Sequence, residues 1–398
     1  MAALQYWVWL SELVGVNPVS KLKLLQHFGS PENIYYAAPE DYGQVEGIKR
    51  EQIELLGQKS LQRVEWILQE CAKESIFLIT MDDVLYPLRL KDIYDPPILL
   101  YGKGKMPLFD DEVVVSMVGT RSCTPYGVSC AESLGYELAR QGAMVLSGMA
   151  KGIDAACLRG ALRAGGFTCA VLGCGVDVVY PAENRRLYED ILATGVILSE
   201  YPPKTEPEPW HFPQRNRIMS GLSVAALVVE APERSGALIT AGDALEQGRE
   251  VFAVPGPINA PGSRGCHKLI REGAGLVSCA WDLLSEFESR YPHRLHPDGK
   301  SLPEMPPQSG EPKKTAKEKK TEEKKTLPVI DGKAAGLTDD QIAVLRVLKC
   351  EEGMLTDEVA EETEIPVRRV LSALTMLEID GHVKKMGAQS FIRAVEIK

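Results

Sequence analysis

The chain lacks any apolar run of the roughly 18 residues that a membrane-spanning helix needs. Its apolar start, MAALQYWVWLSELVGV, is short, is interrupted by Glu12 and carries no basic segment. It reads as a buried first helix and not as a secretion signal, so the cytoplasm is the expected compartment. Cysteine pairs are also lacking. The nine cysteines are odd in number and scattered, none forms CxxC, and Cys169 and Cys174 are the closest pair. That argues against a disulfide framework or a zinc site and leaves most cysteines as small core residues. No HExxH, no GxSxG elbow and no GxxxxGK[ST] loop is present, so zinc-protease, hydrolase and ATPase readings lose their basis. None of His27, His211, His267, His293, His296 and His382 has metal-ligand spacing. No metal, cofactor or catalytic activity is expected. Excess positive charge is missing too: 45 Lys+Arg against 55 Asp+Glu give a net charge of −10. Coating of duplex DNA through bulk charge is therefore excluded, and a nucleic acid would need a focused pocket.

What is present is the composition of a globular protein, 44% hydrophobic and 25% charged over 398 residues. That length suits two or three domains. Residues 1–75 read as short helices with Gly and Ser-Pro turns. They resemble a helix-hairpin-helix (SAM-like) domain, whose turns can hold phosphate on backbone N–H groups, or are a plain helical packing domain. Residues 76–110 read as a connecting segment with short strands. From 111 to 291, continuous apolar runs such as EVVVSMVGT, AMVLSG, TCAVLG and SVAALVVEA alternate with helical stretches. Strands of that kind are buried on both faces, which predicts an α/β class core: a Rossmann-like, doubly wound, mostly parallel sheet. Residues 292–335, with EPKKTAKEKKTEEKKT, predict a flexible charged linker. Residues 336–398 give the outline of a winged helix. With eight Lys+Arg against twelve Asp+Glu, that domain suits protein contacts better than duplex reading, although Arg368 and Arg369 sit where a recognition helix would start.

Ligands of a doubly wound sheet bind at the carboxyl ends of its strands. The informative residues cluster there: Gly119, Thr120 and Arg121; Ser147, Gly148 and Lys151; Glu200; Glu230, Ser235, Gly236 and Thr240. Small residues let a ligand approach the backbone, and helix N-termini offer unpaired N–H donors. Arg121, Lys151, Arg215 and Arg217 add full charges. FPQRNRIMSGLS puts Arg215, Asn216 and Arg217 at what reads as a helix start, where charges and N-terminus serve one phosphate. A phosphate-rich ligand follows. Asp154 and Glu200 form an acid/base pair only in principle, since such acids more often hold arginines or cap helices.

VGTR, SGMAKGIDAACLRGAL, AVLGCGVDVVYPAENRRLY, FPQRNRIMSGLS, VVEAPERSGALITAGDALEQGREVFAVPG and GSRGCHKLIREGA together resemble the DNA-processing protein A (DprA/Smf) family. The resemblance covers nearly the whole chain. It implies a non-enzymatic binder of single-stranded DNA, a homodimer that protects incoming DNA in natural transformation and loads the RecA recombinase. It carries the phosphate pocket onto Gly119, Thr120, Arg121, Phe212, Arg215, Asn216, Arg217, Ser235 and Gly236. Phe212 would stack on a base. The pattern departs at Leu158, where the family has His, at Lys151, where it often has Arg, and at His267, where Asn is common. The rival is a phosphoribohydrolase-like enzyme, but ERSGALIT lacks the double glycine of its PGGxGT motif.

Overall fold

The computed structural model describes residues 2–297 and, beyond them, 329–330, 337–348, 354–363, 365–379, 382–385, 390–393 and 396–397. The chain divides near residue 308 into two compact units. In the first, the strands are β1 (Phe77–Thr80), β2 (Leu99–Gly104), β3 (Val114–Val118), β4 (Met144–Ser147) and β5 (Thr168–Val171). β6 (Val196–Ser199), β7 (Ala225–Val228), β8 (Glu250–Ala253) and β9 (Gly275–Leu276) follow. They form one nine-stranded sheet in the order β1-β2-β6-β5-β4-β3-β7-β8-β9. Every pairing from β6 through β9 is parallel. Every residue of β3 to β7 is buried, which is why these strands read as unbroken apolar runs. The segment 76–110, read as a connector with short strands, supplies β1 and β2, which extend the sheet antiparallel beyond β6.

Local signals set the helices. Thr124 caps Pro125–Arg140 by accepting from the Gly127 N–H, and Pro125 fills the first position, where no N–H is needed. Glycine brings this helix against the next one, Ile153–Arg163. A Cβ on Gly135 would lie 2.3 Å from the Cys157 carbonyl oxygen, and one on Gly160 would lie 2.2 Å from that of Glu132. The two backbones therefore meet directly.

The N-terminal helices share the sheet's core. Helix Ala2–Glu12 buries Tyr6, Trp7, Val8, Trp9 and Leu10, and one apolar cluster runs from Trp7 to Leu295. The expected linker also begins later than its composition suggests. Leu295 is only 4% exposed, and the His296 N–H donates to the Gln141 carbonyl. Gly142, at φ 99°, makes room for the Arg294 carbonyl oxygen. Val329–Ile330 pair in parallel with Glu396–Ile397. The rest of the expected linker lies outside the described residues.

The second unit contains helices Asp339–Val347, Thr356–Thr363 and Val367–Ile379 and a three-stranded sheet in which 390–393 lies between 354–355 and 383–385. Its own core includes Val344, Leu345, Val359, Val370, Leu374 and Leu377. Arg369 forms a two-bond pair with Asp340, and Arg368 is exposed.

Replacing Gly160 by Val puts side-chain atoms into the Glu132 backbone. Overpacking of this kind costs about 1–3 kcal/mol. Urea unfolding should show a lower midpoint with an unchanged slope; an unchanged midpoint would show that the helices can separate freely.

Candidate nucleic-acid interface

Strand order reverses at β3. The chain runs outward through β4, β5 and β6, then returns to place β7 on the other side of β3. Loops leaving β3 and β7 must part there, and a crevice opens at their carboxyl ends. A cavity of about 520 Å³ occupies it. Gly119, Thr120 and Arg121 line it from β3, and Ser235, Gly236 and Thr240 from the segment after β7. Phe212, Arg215 and Asn216 line it from helix His211–Gly221.

The turn after β3 is fixed from several sides. A Cβ on Gly119 would come within 2.5 Å of Ile153, and one on Gly152 within 2.5 Å of the Thr120 carbonyl oxygen. Gly152 has φ 79°. The Thr120 N–H donates to the Glu230 carbonyl at 2.7 Å. The buried Glu230 carboxylate accepts from the Thr124 N–H and hydroxyl, both at 3.0 Å, so it anchors a helix cap. Across the cavity, helix Ala237–Glu246 starts at Gly236, which has no side chain of its own to cap it. The Ser235 Oγ accepts from the Ala237 N–H at 3.3 Å. This helix end presents partial positive charge to the crevice.

Helix His211–Gly221 decides which cations face the cavity. It begins at His211, so Arg215 stands in its second turn and not at its start as expected. Residues three and four apart share a helix face, whereas residues two apart do not. Phe212, Arg215 and Asn216 therefore point together and Arg217 points away. Arg217 pairs with Glu200 and, at 3.3 Å, with Asp95. It does not line the cavity, and Glu200 is occupied by it, so Asp154 and Glu200 form no acid/base pair.

Arg215 is 4% exposed. It donates to the Val171 carbonyl, while its Nε has no hydrogen-bond partner. Gly148 permits this position: a Cβ there would overlap the guanidinium. Gly148 thus backs the site without lining it. The Ser147 hydroxyl points elsewhere, donating to the Met117 carbonyl at 2.6 Å. Lys151 is exposed and paired with Glu183. Those two expected contacts, like that of Arg217, are not brought to the cavity.

Tyr180, Arg234 and Asp154 line the cavity without having been among the expected contacts, and they stand around the expected Arg121 and Phe212. Arg121 is exposed and lies 5.0 Å above the Phe212 ring. Tyr180, 38% exposed, lies 5.5 Å from the same ring at 36°. Arg234 joins them at the rim. Asp154 also lines the cavity. Burial raises its carboxyl above the usual range, and nearby Arg215 only partly opposes this. His211 is held instead by the Gly173 carbonyl at 3.0 Å and the Tyr201 ring at 3.9 Å, and burial lowers its basicity. Among the described residues no cluster suits a metal ion.

Removing Arg217 strands Glu200 and Asp95 without their partner. Arg217→Ala should lose about 2–3 kcal/mol of stability. A thermal melt unchanged from wild type would remove the anchoring role assigned to it.

Residues 77–288 match the family described as DNA recombination-mediator protein A, and residues 331–389 match the DprA winged helix domain. The chain is 41% identical over 286 residues to Protein Smf of Synechocystis sp., covering 71% of this chain and 72% of that protein. It is 43% identical over 224 residues to the DNA processing protein DprA of Bacillus subtilis, covering 56% and 75%. The X-ray structure of DprA from Streptococcus pneumoniae superposes with a TM-score of 0.64 at 37% identity, covering 71% of this chain and 98% of that one. The match of both its domains to that family's models, together with these relatives, shows that the chain belongs to the DNA-processing protein A (DprA/Smf) family.

Proposed function

We propose that this protein is a single-stranded DNA-binding recombination mediator. It protects incoming DNA in natural transformation and loads RecA onto it. It works as a cytoplasmic homodimer and has no catalytic activity. The observation that carries this reading is one cavity combining a cationic, donor-rich wall with an aromatic rim. A phosphate is drawn to the charge of the Arg215 guanidinium, which lines the cavity, and to the partial positive charge at the N-terminal end of helix Ala237–Glu246. A base stacks on Phe212, displacing the Arg121 guanidinium from the ring toward the phosphate. Phosphate and π-face are common to every nucleotide, so no sequence preference follows. Dimerisation sets two such cavities on one strand and raises affinity through effective concentration. Asp154 is the one carboxylate at this cavity. Among the described residues no helix is long and apolar enough to cross a membrane.

Fluorescence anisotropy with oligo-dT and the matching duplex tests this directly. Wild type should prefer the single strand with strong salt dependence. Phe212→Ala should weaken it by about 1–3 kcal/mol. Equal binding of both DNAs, or release of a base from a nucleotide, would overturn the reading. RecA nucleation on protein-coated single strands, and light scattering at twice the chain mass, check the partner and the dimer.

Asp154 gives a pH dependence. A bound phosphate disfavours the nearby carboxylate, so binding takes up a proton and affinity rises as pH falls toward the raised carboxyl value. Asp154→Asn should bind more tightly at about pH 7.5 and lose this slope. An affinity that falls with pH in both proteins would contradict the assignment.

A further inference from the structure

A second cavity, of about 360 Å³, lies along helix Arg264–Arg271 and is lined by Arg264, His267, Lys268, Arg271 and Glu233. The basic residues stand at i, i+3, i+4 and i+7, so they form one stripe on one helix face. In a chain of net charge −10 such a stripe is a local exception. Arg264 and Arg271 are exposed and, among the described residues, neither has an ion-pair partner. Lys268 has only Glu272, at 3.8 Å along its own helix. His267 commits its Nε2 to the Gly256 carbonyl at 3.0 Å and acts as part of the wall.

The groove is joined to the first cavity by a fixed piece of backbone. Pro232, Arg234, Ser235 and Gly236 line the first cavity, and Glu233, between them, lines the second. The Gly265 N–H donates to the Ala231 carbonyl at 2.8 Å. A Cβ on Gly265 would lie 2.6 Å from that oxygen and 2.8 Å from the Pro232 carbonyl oxygen. The basic helix is thus seated on the rim of the nucleotide cavity, with Arg234 exposed between the two.

We propose that the groove of Arg264, Lys268 and Arg271 is a second phosphate-binding site, which takes the backbone of a single strand whose neighbouring nucleotide occupies the first cavity. This rests on the function proposed above. Glu233 is the one acid in the groove's lining and limits its affinity. The site reads backbone alone: among its described lining residues the one ring is the His267 imidazole, which is committed to the Gly256 carbonyl.

The test compares wild type, the triple variant Arg264→Ala/Lys268→Ala/Arg271→Ala, and Glu233→Gln. Oligo-dT of about five and about sixteen nucleotides spans the usual range of single-strand sites. The triple variant should bind the long oligonucleotide about tenfold more weakly, and its salt slope should fall by about 2, near 0.7 for each lost phosphate contact. Its affinity for the short oligonucleotide and its mass by light scattering should stay as in wild type. Glu233→Gln should tighten the long oligonucleotide only. An unchanged affinity and slope for the long oligonucleotide would overturn the second site. So would an altered mass, which would make the groove a contact between copies of this chain. If wild type binds neither length, the failure lies with the proposed function itself.

Discussion

A guanidinium buried at the end of a parallel sheet is the constraint around which the site is arranged. Arg215 is held by the Val171 carbonyl at the end of β5, lies beneath Gly148 after β4, and shares the cavity with the Asp154 carboxyl. Desolvating such a charge is costly unless its hydrogens find acceptors. Here the Nε is left without a partner, on a side chain that contributes to the cavity wall. The phosphate of the proposed single-stranded ligand supplies the acceptor oxygens this arrangement lacks. Small residues are needed at 119, 148 and 152 because a side chain at any of them would strike a neighbour that shapes this space.

The neighbouring arginine serves the opposite purpose. Arg217 spends its charge on Glu200 and Asp95, tying helix His211–Gly221 to β6 and to the segment before β2. Lys21 of the N-terminal helices is buried nearby with its amine on the Ser11 carbonyl, and burial lowers it to about 8. The helix that carries Phe212 and Arg215 is therefore clamped on its far side. Its near side, with Phe212, Arg215 and Asn216, faces the cavity, and the proposed ligand meets it with little reorganisation.

Much of this was legible in the residues. β3 to β7 announce themselves because burial on both faces removes polar residues, and the crevice follows from the α/β alternation. Gly119, Thr120, Arg121, Ser235 and Gly236 mark it because turns at strand ends need small residues. The split between Arg215 and Arg217 was not legible. The two are alike in chemistry, and only the phase of the helix separates them. FPQRNR gives no sharp start, since neither Trp210 nor the residues around it supply a side-chain cap. Ser147 and Lys151 failed for a related reason: position at a strand end does not reveal that a hydroxyl turns to the Met117 carbonyl or that an amine meets Glu183. The short strands read in segment 76–110 gave no sign of joining the main sheet, because β2 follows Pro96 and Pro97; they pair at its edge, where such strands are tolerated.

In the proposed complex, one nucleotide of a single strand sits in the crevice between β3 and β7. Photocrosslinking with an oligonucleotide carrying 5-iodouracil, followed by mapping of the modified peptide, tests it most directly. The account predicts adducts on Phe212 or Tyr180, the two rings at the cavity rim. Adducts confined to residues 336–398 or to the N-terminal helices would contradict it.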